Sequence, residues 1–239
     1  MVGTNASNDR TDYNTLIPAM NKIQENLPWK YESYCADSGY DCQQNYEYLE
    51  SQNIRAYIKP QYYEQSKKRA YRKDIGRKEN MTYIPEGDYY ICSRNKKLVK
   101  TYTRKSKNKY GYQTETNIYR CKRGCKTCKE RDKCMKRSRA DYKQVQANLR
   151  LEAYHKTAYD LIGSDEGKEI RVNRSIQAEG AFAQIKANWK FRRFQTTGMN
   201  NINTEWILAC IAVNVVHLGN RLERNLVGTP FHHRIDKTA

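Results

Sequence analysis

Charge changes sharply along this chain. Residues 61–150 hold 27 Lys and Arg against 9 Asp and Glu, whereas residues 1–60 hold 5 against 8 and residues 151–239 hold 12 against 9. The middle third therefore carries the whole formal excess of +18. Charge this dense repels itself unless it lies on an exposed scaffold or meets a polyanion, so nucleic acid is the leading partner. A basic surface with no partner is the plainer reading. Core-forming bulk is present in 20 Tyr, 4 Phe and 3 Trp, so the composition is polar without being that of a disordered chain.

On either side of the basic block the patterning differs. Residues 12–27 place Tyr13, Leu16, Ile17, Met20, Ile23 and Leu27 at helical spacing, and Pro28 ends the run. A short strand over 31–36, a helix over 42–52 with Tyr46 and Leu49 inward, and a strand over 55–59 follow. Helix, strand, helix, strand is the order of an α/β sheet with parallel strands. From about residue 61 the segments 89–92, 98–103 and 114–119 read as short antiparallel strands between basic clusters. Helical pattern returns over 142–162 and stops at Gly163-Ser164. A helix over 174–194 and another over 202–222 follow, the latter apolar nearly all round and expected to be buried. The tail after Gly228 reads as loop. The longest apolar run, 206–213, is far short of the ~20 residues of a membrane span, and residues 1–10 have no apolar signal core. Eight cysteines without an export signal suit a reducing, cytoplasmic setting.

Two carboxylates stand out. Asp37 follows the first expected strand and precedes Ser38-Gly39. Open α/β sheets place their ligands at such strand ends, although a turn aspartate before glycine looks the same. Glu179 lies on the helix RSIQAEGAFAQIKANWKFRRF, beside an apolar face of Ala178, Ala181, Phe182, Ile185 and Trp189. A carboxylate on a rigid helix near cations suits a magnesium-dependent phosphoryl-transfer site, and an ordinary solvated glutamate fits as well.

The succession CADSGY, NYEYLE, AYI, a long basic segment, then RSIQAEGAFAQIK, FRRF and EWILACIAVN resembles the C-terminal part of a bacterial insertion-sequence DDE transposase. The resemblance implies an α/β, ribonuclease-H-like fold in which three acids bind two Mg2+ or Mn2+ ions that activate water or a DNA 3′-hydroxyl. It assigns Asp37 to the second acid and Glu179 to the third. The first acid belongs on an opening strand with no counterpart here, Asp9 and Asp12 lying before a helix. The expected architecture is thus an incomplete ribonuclease-H-like domain with a basic, Cys-containing antiparallel β insertion and C-terminal helices. Its parts are 1–60 with Asp37, 61–150 as the insertion, 151–228 with Glu179, and a tail over 229–239. The resemblance implies strand cleavage and transfer in DNA transposition, by a truncated chain inactive alone. A non-catalytic DNA-binding fragment that regulates transposition is the alternative. The implied partners are transposon ends and target DNA, with further copies or a full-length transposase, and no membrane.

Cys121, Cys125, Cys128 and Cys134 have the spacing C-x3-C-x2-C-x5-C, compatible with structural zinc, an iron–sulfur cluster or clustered free thiols; Cys92 could replace one ligand. Flanking cations are expected to lower the thiol pKa values. Candidate DNA contacts are Lys186, Lys190, Arg192 and Arg193 near Glu179, and Lys67, Lys68, Arg69, Lys105 and Lys107 in the basic block.

Overall fold

The computed structural model describes residues 4–136 and 138–229. Of the tail expected over 229–239, residues 230–239 lie outside the described residues. The chain divides into two compact units, Met1–Asp41 with Glu47–Lys59 and Asp160–Ala239, and Cys42–Tyr46 with Pro60–Tyr159. The protein is mixed α/β, with helices and an antiparallel sheet.

The elements run α1 (Leu16–Asn26), β1 (Ser33–Ala36), α2 (Gln43–Ser51), β2 (Arg55–Ile58), α3 (Tyr63–Ser66), α4 (Arg69–Arg72), β3 (Thr82–Ile84), β4 (Tyr89–Ile91), β5 (Lys97–Lys107) and β6 (Gln113–Cys121). Then come α5 (Arg131–Met135), β7 (Gln144–Ala147), α6 (Leu149–Gly163), α7 (Asp165–Ala183) and α8 (Met199–Glu223).

In the first unit β1 and β2 pair in parallel, from Ser33 opposite Arg55 to Ala36 opposite Ile58. Leu16, Leu49, Tyr57 and Ile58 are buried there. Gly163-Ser164 separates α6 from α7, as the sequence predicts. Ser164 caps the new helix by accepting from the Gly167 amide at 3.0 Å. The chain turns so tightly that a Cβ on Gly167 would stand 2.0 Å from the Leu161 carbonyl oxygen. Past Ala183 the helix widens into one π-turn, Gln184–Asn188.

The helix expected to be buried is not. Among the apolar residues of α8, Cys210 and Val213 are buried, whereas Ile207, Leu208, Ile211, Val215, Leu218 and Leu222 are exposed. Trp206 stacks on Phe182 with ring centroids 5.9 Å apart. Trp206, Cys210 and Val213 follow i, i+4, i+7 spacing, which is one stripe, so a helix apolar all round can still bury a single face. Trp189, on the apolar face drawn by the sequence, is also exposed. By length and composition alone α8 is long and apolar enough to cross a membrane, which the eight-residue run had concealed.

The second unit is built on a five-stranded antiparallel sheet in the order β3-β4-β5-β6-β7. Met81, Tyr90, Leu98, Tyr119, Cys121, Val145 and Ala147 form its core. Asp88 has φ +46°, and its carboxylate accepts hydrogen bonds from the Tyr83 hydroxyl at 2.8 Å and the Tyr119 hydroxyl at 2.5 Å. Those bonds, the Tyr119 hydroxyl foremost, hold the Asp88 carboxyl below the usual carboxylate range. The helix expected from residue 142 begins only at Leu149; Gln144–Ala147 is an edge strand on β6. Val145 and Ala147 alternate inward with period two, and Asn148 then caps α6 by accepting from the Leu151 amide at 3.1 Å.

Candidate functional site

Asp37 sits where β1 ends, at the start of a 3-10 turn over Ser38–Tyr40, and accepts from the Gly39 amide at 2.9 Å. That bond turns the carboxylate back over its own loop. The sequence places Asp12 before a helix and away from any site, yet its side chain lies in the same corner. A Cβ on Gly39 would stand 2.9 Å from Asp12 Oδ2 and 3.0 Å from Asp37 Oδ1. Glycine is thus what leaves room for two carboxylates to border one point. Tyr34 and Tyr40 pack edge to face beside them, centroids 6.3 Å apart, and burial, foremost, pushes both hydroxyl pKa values up.

Two ion pairs tie α7 to the parallel strands. Arg55, opening β2, reaches Glu166 at 3.2 Å, and Arg174 reaches Asp37 Oδ2 at 3.0 Å. Eight residues of helix, about 12 Å, separate these attachments, so they fix the position of α7 along the strands. Arg174 opens the RSIQAEG motif, where its sequence position gives no sign of a partner; the contact is created by packing α7 on β1. Arg174 and the nearby Arg171 also oppose the rise that burial imposes on the Cys35 thiol pKa.

Glu179 is exposed on α7 and accepts from Ser175 Oγ at 2.7 Å. Five residues beyond Arg174, it leaves the helix rotated by about 140°. The structure therefore brings Asp37 to the helix that bears Glu179 through Arg174, while Glu179 itself engages its own helix. A cavity of about 510 Å3 lies between β1, α7 and Trp206, lined by Cys35, Ala178, Ala181, Phe182 and Ile185 among others. Lys186, Lys190, Arg192 and Arg193 follow on the π-turn and the segment after it, all exposed; the Lys186 ammonium stands 5.1 Å over the Phe182 ring.

In the second unit, Lys67, Lys68 and Arg69 are exposed around α3 and α4, with Lys67 3.4 Å from Glu64. Lys105 and Lys107 are exposed on β5, Lys105 being 3.3 Å from Glu115 across the strand pair.

Cys92, Cys121, Cys125, Cys128 and Cys134 converge on one small cavity of about 30 Å3. Among the described residues no three His, Cys, Asp or Glu side chains are placed to hold a metal, so the zinc expected from the spacing is without support. Cys121 belongs to the sheet core, and its thiol donates to the Arg123 carbonyl at 3.2 Å. The expected lowering of thiol pKa by the flanking cations is also reversed. Burial, with Cys125 alongside, pushes the Cys121 thiol up to about 11, and burial raises that of Cys134. The cations of this loop are engaged elsewhere: Arg131 donates to the Cys125 and Ala140 carbonyls, Lys126 pairs with Asp141 at 3.1 Å and Lys133 with Glu130 at 3.1 Å. The cation that opposes the rise at Cys134 is Lys143, beyond the loop.

No curated protein and no solved structure matches the chain. A protein family does match, over residues 91–219: the transposase DDE domain. The matched span takes in the strands β5 to β7, the cysteine pocket and Glu179, and leaves Asp37 outside it. As the match covers more than half of the sequence, the chain belongs to the transposase DDE domain family.

Proposed function

We propose that the protein is a DNA transposase whose Asp37 and Glu179 are two of the carboxylates that hold a divalent metal, Mg2+ or Mn2+, for phosphodiester cleavage and strand transfer. The observation that carries this reading is the seat of Asp37. It lies at the end of a parallel strand and is bonded to α7, the helix that bears Glu179, in a chain of the DDE family. The donors suit the metal. Mg2+ takes hard oxygen ligands, commonly one or two carboxylates completed by water and substrate phosphates, and Asp12 and Asp37 present two carboxylate oxygens around Gly39. A metal bound there supplies Lewis-acid polarisation of the phosphodiester and a more acidic attacking hydroxyl.

The chain's own residues do the rest. Arg174 offsets the negative charge of Asp37 and gives way to the metal. Lys186, Lys190, Arg192 and Arg193 hold the phosphates of the strand being cut. In this reading the first unit is part of a ribonuclease-H-like domain and residues 61–150 are an insertion that grips DNA. Transposon ends, target DNA and further transposase chains are the partners, in the bacterial cytoplasm.

The test is a Mn2+ titration of the purified 239-residue chain with and without plasmid DNA. With two of the family's three acids assigned, weak Mn2+ binding and an intact plasmid are expected. Asp37→Asn and Glu179→Gln are each expected to lower the affinity by at least about tenfold. Mn2+ binding that neither substitution alters overturns the assignment. The second reading, a DNA-binding regulator without catalysis, draws on the Arg174–Asp37 ion pair, which already places a cation on the carboxylate. Tight DNA binding with no Mn2+ binding at all favours it.

A further inference from the structure

Strands β5 and β6 are longer than the sheet they belong to. Strand β4 pairs with β5 only from Lys97 to Val99, and β7 pairs with β6 only from Asn117 to Arg120. Beyond these neighbours the two strands continue without a third strand, with Arg104 opposite Thr116, Lys105 opposite Glu115, Ser106 opposite Thr114 and Lys107 opposite Gln113, and the turn is tied back to α2 by Asn108 Nδ2, which donates to Gln44 Oε1 at 2.9 Å. Four such pairs extend the ribbon by about 13 Å, and residues 108–112 close it. Asn108 shapes the turn: its Oδ1 accepts from the Tyr110 and Tyr112 amides, both at 2.9 Å, and Gly111 takes φ +88°.

The ribbon does not protrude to bury apolar surface. Its exposed charges are cationic but for one: Arg104, Lys105, Lys107 and Lys109, with Glu115 the one acid between residues 97 and 116, and Ser106, Tyr110 and Gln113 are exposed among them. Arg104 leans back on β7, donating to Gln146 at 3.1 Å. Lys105 and Lys107 share the opposite face with Gln113. At the root of that face a polar cleft of about 460 Å3 is lined by Lys105, Gln113, Asn117, Asn148 and Arg150 among others. Lys105 and Glu115 are each more than 60% exposed, so their ion pair is weak and readily exchanged for a phosphate.

We propose that this ribbon is a DNA-binding arm that lies in the major groove of duplex DNA. Lys105, Lys107 and Lys109 bind the flanking phosphates, and Gln113 faces the base edges. A two-stranded ribbon fits the B-form major groove, about 12 Å wide, and an amide side chain can pair with adenine there. The A-form groove of duplex RNA is too narrow for it. The proposal rests on the reading of the chain as a DNA transposase but not on its metal-binding carboxylates.

The experiment measures binding of the full chain to a short DNA duplex in EDTA, over a range of salt. Relative to wild type, Lys105→Gln/Lys107→Gln/Lys109→Gln is expected to lower the salt slope by about 2–3, and the affinity at 0.15 M salt by about two orders of magnitude. Dimethyl sulfate is expected to show wild-type protection of guanine N7, in the major groove, that the triple variant loses. An RNA duplex of the same sequence is expected to bind more weakly. An unchanged slope, protection at adenine N3 alone, or equal affinity for the RNA duplex overturns the proposal. Because no metal is present, these outcomes do not depend on Asp37 or Glu179. If Asp37→Asn and Glu179→Gln leave Mn2+ binding unaltered while the ribbon result holds, the carboxylate assignment fails and the arm stands.

Discussion

The unit that bears the acids and the unit that bears the cations keep their apolar side chains differently. In the sheet unit, Leu98, Tyr119, Cys121 and Ala147 are nearly inaccessible, and the hydroxyls of Tyr83 and Tyr119 end on Asp88. In the acid unit, two parallel strands of four residues each are backed by α7, while much of α8 meets solvent. A core closed on itself tolerates an exposed, self-repelling charge because its stability comes from packing beneath that charge. The acid unit buries Leu49, Tyr57, Ile58 and Ile185 as completely, and individual polar ties join its elements: Arg55 to Glu166, Arg174 to Asp37, and the Glu205 carboxylate accepting from the Gln195 and Thr196 amides.

Substitutions should expose this contrast. The largest effect is expected in the sheet core. Leu98→Ala empties a fully buried site and should cost about 2–5 kcal/mol in denaturant unfolding. The same deletion on α8, Leu208→Ala, at 61% exposure, should stay within about 0.5 kcal/mol. Equal losses at the two sites would erase the distinction.

Next comes Asp88. Asp88→Asn removes the charge that accepts both tyrosine hydroxyls and should cost about 1–3 kcal/mol at pH 7. Its carboxyl pKa is lowered on folding. The stabilisation is therefore complete above the ordinary carboxylate range and disappears as pH falls through the lowered value. Wild type and variant should converge in stability in acid; a gap that persists at low pH would point to packing instead.

A smaller effect is expected at Arg174. Its pair with Asp37 is partly exposed on both sides, so Arg174→Gln should change stability by about 0.2–1 kcal/mol. Mn2+ affinity should rise as the competing cation leaves. A fall in affinity would show that Arg174 supports the metal seat.

A small stability change is expected at Gly39. Its added Cβ in Gly39→Ala would meet the ends of two side chains that can swing away, so a cost below about 1 kcal/mol is expected, with weaker Mn2+ binding as the carboxylates part. Unaltered Mn2+ affinity would place the metal away from this corner.

Much of the acid unit was legible in the sequence. The parallel pair at β1 and β2, the inward Leu49, and the break at Gly163-Ser164 follow from periodicity and turn residues acting over a few positions. Over residues 142–148 the apolar spacing, in so short a run, fits a strand and a helix alike. Pairing with β6 decided for the strand. Nor could pattern show how far β5 and β6 outrun their neighbours, which depends on the lengths of β4 and β7.

The sequence alone determined the confinement of positive charge to the middle of the chain, the type of most elements and the family, because these are properties of local order and residue type. Tertiary structure decided which side chains share a corner. It brought Asp12 to Asp37, laid Arg174 on Asp37 and gathered five cysteines around one cavity. It also left α8 largely uncovered. Such contacts join positions up to 137 residues apart, and spacing over that distance carries no geometric information until strands and helices pack.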